Sequence, residues 1–262
     1  MIYLYYFFIF FFGASIGSFL NVLIDRLPQD KKITGRSICD HCHHQLSWYD
    51  LIPILSFFLL KGCCRYCRKK ISFQYPLVEL ITGLLFVFTF SLKTVFIKDS
   101  LFLRLSLLGI VSCFIVIFFS DVKYHLISDY ILWALFCFSL FFHLATNFNL
   151  FQLIFIYFFS SIIVAFPIWL IYFLSKEKAM GLGDVYLSAI LGFLLGWQKG
   201  FLALYLAFVS GGIFGLFLIL FGRKKLKSKI AFGPFLVIAA LVMLFWGEEI
   251  LSWIIKFYFY RL

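Results

Sequence analysis

The chain has 262 residues, of which 64% are hydrophobic, 23% aromatic and only 13% charged, with a mean hydropathy of +1.03. A soluble domain carries roughly twice that share of charge, so a soluble protein with a large core is excluded, and no short alternating segments support a membrane β-barrel. The net charge of +11 suits basic loops beside anionic headgroups, so membrane lipids are expected partners and nucleic acid is not.

Eight apolar segments, each near the ~20 residues a bilayer requires, predict an all-α polytopic membrane protein of about eight transmembrane helices. They run over 2–24, 77–97, 101–120, 130–146, 150–174, 185–198, 200–222 and 234–255. The first has no basic n-region and runs straight into a basic loop, so it reads as a span and not a cleavable signal.

Between the first two spans, 25–76 is the one large polar insertion and holds five of the seven cysteines. "CDHC" supplies Cys39 and Cys42, and "CRYC" supplies Cys64 and Cys67, with 21 residues between the pairs. Two CxxC knuckles at such a separation resemble a zinc ribbon, in which four thiolates close a tetrahedral structural site. Four thiolates leave no open position for catalysis. A redox pair or a metal-free loop is the alternative, and Cys63, His41, His43 and His44 crowd the same knuckles. Cys113 and Cys137 fall inside spans and read as small packing residues.

Further along, Asp121 ends the third span in "FFSDVKYHLISDY". Asp129 precedes the fourth, where "SDY" before an apolar run fits a helix cap. "MGLGDVY" then sets Gly181, Gly183 and Asp184 at the start of the sixth span. An acid is costly in lipid, so it is wet, capping or working. Asp184 alone suits a helix N-terminus, where the dipole favours negative charge.

With the N-terminus outside, the inner loops hold 17 of the 23 basic residues and the outer side six. Orientation follows that asymmetry. It puts 25–76 on the cytoplasmic side, where thiols favour metal over disulfides. Asp121 and Asp184 then share the inner membrane face. Two carboxylates held close cannot both ionise easily, so a proton is shared, one acid activates water and the other donates. Gly181 and Gly183 are expected to supply positive φ and close backbone approach beside Asp184. Asp121 is favoured as its partner, and Asp129 as a capping or supporting acid.

Taken together, these stretches resemble the type IV prepilin peptidases along nearly the whole chain. "GASIGSFLNVLIDRLP" (13–28) looks like the family's first-span motif, and 39–83 is similar to its cytoplasmic domain. Asp121 and "GLGD" match its two acid motifs, and "KIAFGPFL" (229–236) its last inner-loop motif. The resemblance implies a GxGD aspartic protease of the bacterial inner membrane, with Asp121 and Asp184 as the catalytic pair. It implies cleavage of prepilin or pseudopilin leaders, then N-methylation of the new terminus with S-adenosylmethionine. It divides the chain into a first span (1–24), a methyltransferase-associated Cys-rich domain (25–76) and a peptidase domain (77–262), with zinc on Cys39, Cys42, Cys64 and Cys67. Arg26, Asn21 and Glu79 are cofactor-side candidates by position, or else they orient the loop, and no G-x-G-x-x-G loop is present. Two positions depart from the pattern: Tyr186 stands for the usual lysine after GxGD, and Ser128 for the usual proline. The competing classes are a transporter, which would need acids along a pathway and internal repeats, and a non-catalytic assembly subunit.

Overall fold

The computed structural model describes residues 2–91, 101–146, 149, 153–178, 180–221 and 231–259. The basic loop 223–229 and the outer-side residues Lys93, Lys98 and Arg261 lie outside the described residues. The chain is helical, and its described residues form two compact units, Met1–Thr94 and Val95–Leu262. Among the described residues, six helices are long and apolar enough to cross a membrane.

In the first unit, α1 (Ile2–Arg26) packs along α3 (Gln74–Ser91), and a short α2 (Leu55–Leu59) lies in the loop between them. Glycines set the closeness of α1 and α3. A Cβ on Gly17 would stand 2.8 Å from the Glu79 Cα, and one on Gly13 would stand 3.0 Å from the Gly83 Cα. Lipid tails are as apolar as the side chains, so small residues that let backbones approach carry much of the association.

The loop itself has almost no core. Between residues 28 and 75 only Cys39 and Cys64 are buried. Polar bonds from the two helices hold its ends. The Arg26 guanidinium donates to the carbonyls of Lys32, Ile33, Thr34 and Arg36. Asn21 Nδ2 donates to the Tyr75 carbonyl, and the buried Glu79 carboxylate accepts the Ile54 amide at 2.7 Å. All three residues considered for a cofactor are therefore engaged in orienting the loop.

The second unit comprises α4 (Leu101–Tyr124), α5 (Asp129–Ala145), α6 (Phe159–Ser175, entered through a π-helical turn over Leu153–Phe158), α7 (Leu182–Leu220) and α8 (Gly233–Phe259). α4 is the central helix, with 61% of its span buried, and it packs on α5 and α8. α6 is peripheral at 17%; its exposed Phe166, Trp169 and Phe173 form a face suited to lipid.

The sixth and seventh spans read from the sequence form one 39-residue element, α7, which at 1.5 Å per residue would reach about 58 Å, nearly twice a bilayer core. It breaks at Gly196, whose φ of 78° and ψ of 169° are not helical. Only glycine adopts such a conformation without strain. The break interrupts the carbonyl ladder of the first arm. His143, near the end of α5, fills part of the gap: its Nε2 lies 2.9 Å from the Phe193 carbonyl, and its ring packs on Tyr157 at 3.9 Å. As donor to that carbonyl, His143 acts as a side-chain cap from a neighbouring helix.

Replacing His143 by Phe removes the donor and strands the Phe193 carbonyl, a loss of about 1–2 kcal/mol. Thermal unfolding of the detergent-solubilised protein should show a lower midpoint for His143→Phe, with His143→Gln closer to the unmutated protein because its amide can still donate.

Candidate active site and metal centre

Asp121 sits in the last turn of α4 and is 6% exposed. Its Oδ2 accepts the backbone amide of Gly233 at 2.9 Å. Gly233 is the first residue of α8, so the carboxylate faces a helix N-terminus with unsatisfied amides and a positive dipole end. A Cβ on Gly233 would lie 2.6 Å from that same oxygen, so glycine is required for the approach. The sequence marked "AFGP" only as a motif and gave Gly233 no role. The available signal was a glycine just before Pro234 and an apolar run, the pattern of a helix start.

Asp184 is the third residue of α7. Its Oδ2 accepts the Gly181 amide at 3.3 Å, and its own amide donates to the Gly181 carbonyl at 3.2 Å. It therefore closes the helix start that its position predicted, yet it also interacts electrostatically with Asp121. The two acids, 63 positions apart in the sequence, come within electrostatic range of each other, α8 packing on both α4 and α7. Tyr186 is half-exposed and gives Asp184 no hydrogen bond.

Two expectations need correction. Neither Gly181 nor Gly183 has positive φ; Gly181 is extended at φ −86°, ψ 159°, and Gly183 is helical. What Gly183 supplies is room, since a Cβ there would stand 3.1 Å from the Ile127 Cβ in the α4–α5 turn. Asp129 is the first helical residue of α5, not its cap. Ser128 holds the cap position at φ −74°, ψ 131°, a geometry that a proline would share, while Asp129 is exposed, where its charge suits the helix dipole.

The cysteine cluster lies in the first unit. Cys39, Cys42, Cys64 and Cys67 bring their sulfurs within 4.8 Å of one another, and Cys39 and Cys67 are 3.9 Å apart. A tetrahedron with Zn–S bonds near 2.3 Å has sulfurs about 3.8 Å apart, so the four fit zinc. Cys63 and the three histidines are not in the cluster.

The two knuckles repeat one another. The Cys39 amide donates to the His44 carbonyl and the His43 amide to the Cys39 carbonyl; Cys64 pairs in the same way with Lys69 and Arg68. His43 and Arg68 take left-handed φ of 54° and 57° at equivalent places. In Cys39, desolvation raises the thiol pKa, but amides of Cys42 and His41 and neighbouring thiols outweigh it and hold the pKa at about 7, favouring the thiolate. Asp50 ties the knuckles' flanks, accepting Arg65 Nε at 2.7 Å, the Ser47 amide and the Tyr66 hydroxyl.

The chain is similar along most of its length to known sequences. The bacterial peptidase A24 N-terminal domain model matches residues 11–92, and the type IV leader peptidase family model matches residues 108–216. A protein of Aeromonas salmonicida named prepilin leader peptidase/N-methyltransferase is 32% identical over 95% of this chain and 94% of its own length. A protein of the same name from Stutzerimonas stutzeri is 30% identical over 94% and 92%. Another, from Legionella pneumophila, is 28% identical over 94% and 93%. No solved structure matches. The cysteines lie in the first matched segment and both aspartates in the second, whereas Gly233 lies beyond both.

Because the loop has almost no apolar core, a metal held by the four cysteines would tie it. Limited proteolysis with and without a strong chelator should give new cuts within 36–71 after chelation, while helical circular dichroism barely changes. Cys64→Ser should reproduce that pattern with metal present.

Proposed function

The chain belongs to the type IV leader peptidase family, and from that premise we propose that it cleaves the leader of prepilins or pseudopilins with Asp121 and Asp184. The observation that carries this reading is that the Asp121 carboxylate, held by the Gly233 amide, and Asp184, from a separate helix, are close enough to interact electrostatically. The substrate's apolar segment stays in the membrane, and its scissile peptide unwinds beside the pair at the cytoplasmic face of the inner membrane. A water held by both carboxylates attacks the carbonyl carbon. One carboxylate takes the water's proton, and the other protonates the carbonyl oxygen. The tetrahedral intermediate then collapses, the C–N bond breaks, and a proton passes to the departing amine. No covalent link to the protein forms.

Gly233 acts on Asp121 and not on substrate. Its amide fixes one carboxylate oxygen and leaves the other for water, so orientation is set before substrate arrives. Asp184 is fixed in the same manner by Gly181.

Methylation of the new N-terminal amine is the second proposed activity, carried by the relatives' shared name and associated with 25–76. S-adenosylmethionine supplies the methyl group in this reading. Arg26, Asn21 and Glu79, the cofactor-side candidates, each bond the loop. Zinc would be held by Cys39, Cys42, Cys64 and Cys67 as a structural ion. The N-terminus is outside, with the peptidase domain spanning 77–262.

The test is intact mass spectrometry of a prepilin co-expressed with this chain. Asp121→Asn and Asp184→Asn should each leave the leader uncut, while the unmutated chain removes it and adds one methyl. Cleavage surviving either change would overturn the assignment. A transporter or an assembly subunit would leave the prepilin uncut in every case.

A second variant probes the amide. Gly233→Ala should lower the cleavage rate by about 100-fold or more, the scale of losing a positioned group. Metal content and the protease resistance of 36–71 should stay unchanged.

A further inference from the structure

The first unit contains a cavity that neither the peptidase pair nor the thiolate cluster uses. It has a volume of about 280 Å³ and is lined by Phe57, Phe58, Lys61, Gly62, Lys70 and Ile71. We propose that this cavity binds one anionic phospholipid, with its phosphate between Lys61 and Lys70 and its acyl chain against Phe58 and Ile71.

The geometry follows from local backbone. After α2, Lys61 and Gly62 take consecutive left-handed φ of 52° and 68°. The chain reverses there, and Gly62 lies on the Phe57 ring, where a Cβ would stand 3.1 Å from Cζ. The next segment returns alongside, with the Ile71 amide bonded to the Gly62 carbonyl. Lys61 and Lys70 thus both reach one apolar cavity. Among the described residues neither ammonium is salt-bridged.

The available donors select the ligand. The Gly62 amide is bonded to the Phe57 carbonyl and the Ile71 amide to Gly62. The two ammoniums are therefore the principal donors, and the remaining walls are aromatic or aliphatic. A free inorganic anion would meet apolar walls on most sides. A lipid phosphate brings a hydrocarbon chain that those walls suit. The cavity also adjoins the start of an apolar helix: Phe57 packs on Phe73 with ring centroids 6.1 Å apart, and Phe73 directly precedes α3, which is long and apolar enough to cross a membrane. Leu55, Leu59 and Phe73 are exposed in the same segment. This site is independent of the peptidase reading.

Native mass spectrometry of the full chain, released from mixed phosphatidylglycerol and phosphatidylcholine, tests the site. One phosphatidylglycerol should be retained per chain in preference to phosphatidylcholine. Lys61→Gln with Lys70→Gln should weaken that retention roughly 30-fold, the effect of two basic residues at an anionic surface. Lys61→Arg with Lys70→Arg should preserve it. The control pair Lys31→Gln with Lys32→Gln removes the same charge from the same unit and should leave retention unchanged. An equal loss in the control would overturn the proposal in favour of diffuse charge. Displacement by millimolar inorganic phosphate would make this a free-anion site, and displacement by a leader peptide would make it a peptide surface; either refutes the lipid. If the double glutamine variant loses its fold, Phe58→Ser serves instead: lipid retention should fall, and unchanged retention would refute the site.

Discussion

The second unit depends on one hydrogen bond, from the Gly233 amide to the Asp121 carboxylate. A buried acid near a membrane needs a donor, and a helix start needs an acceptor. Each meets the other's requirement, and the bond joins α4 to α8. The same logic recurs at Asp184, whose carboxylate takes an amide of its own helix start. Both acids are thus held by backbone groups, which do not change rotamer.

The other end of α7's first arm shows how the fold keeps that arrangement. A continuous 39-residue helix would overrun the bilayer, so the chain breaks at Gly196, and His143 bonds a carbonyl just before the break. In the second arm, Lys199 pairs with Glu248 of α8. The helix bearing Asp184 is therefore fixed at both ends. Its flank is set by small residues: a Cβ on Gly192 would stand 2.6 Å from the Ser160 carbonyl of α6.

The first unit solves a different problem. Its loop lies between two apolar helices but buries almost nothing of its own. Four cysteine sulfurs cluster near tetrahedral spacing where a core is missing, and Arg26, Asn21 and Glu79 tie the loop's ends to α1 and α3. Residues that stood out by position as possible cofactor ligands are engaged in this anchoring.

The sequence by itself determined the class, the approximate spans, and which cysteines and acids to look for. Those features rest on composition and short-range spacing: a bilayer sets segment length, and CxxC sets knuckle geometry. Only the tertiary structure decided which groups face one another. It discarded positive φ at Gly181 and Gly183, moved the α5 cap from Asp129 to Ser128, and excluded Cys63 and the histidines from the cluster. It also found Gly233 and His143, whose roles depend on carbonyls and carboxylates far away in the sequence. No local pattern encodes such partners, because they exist only after helices have packed.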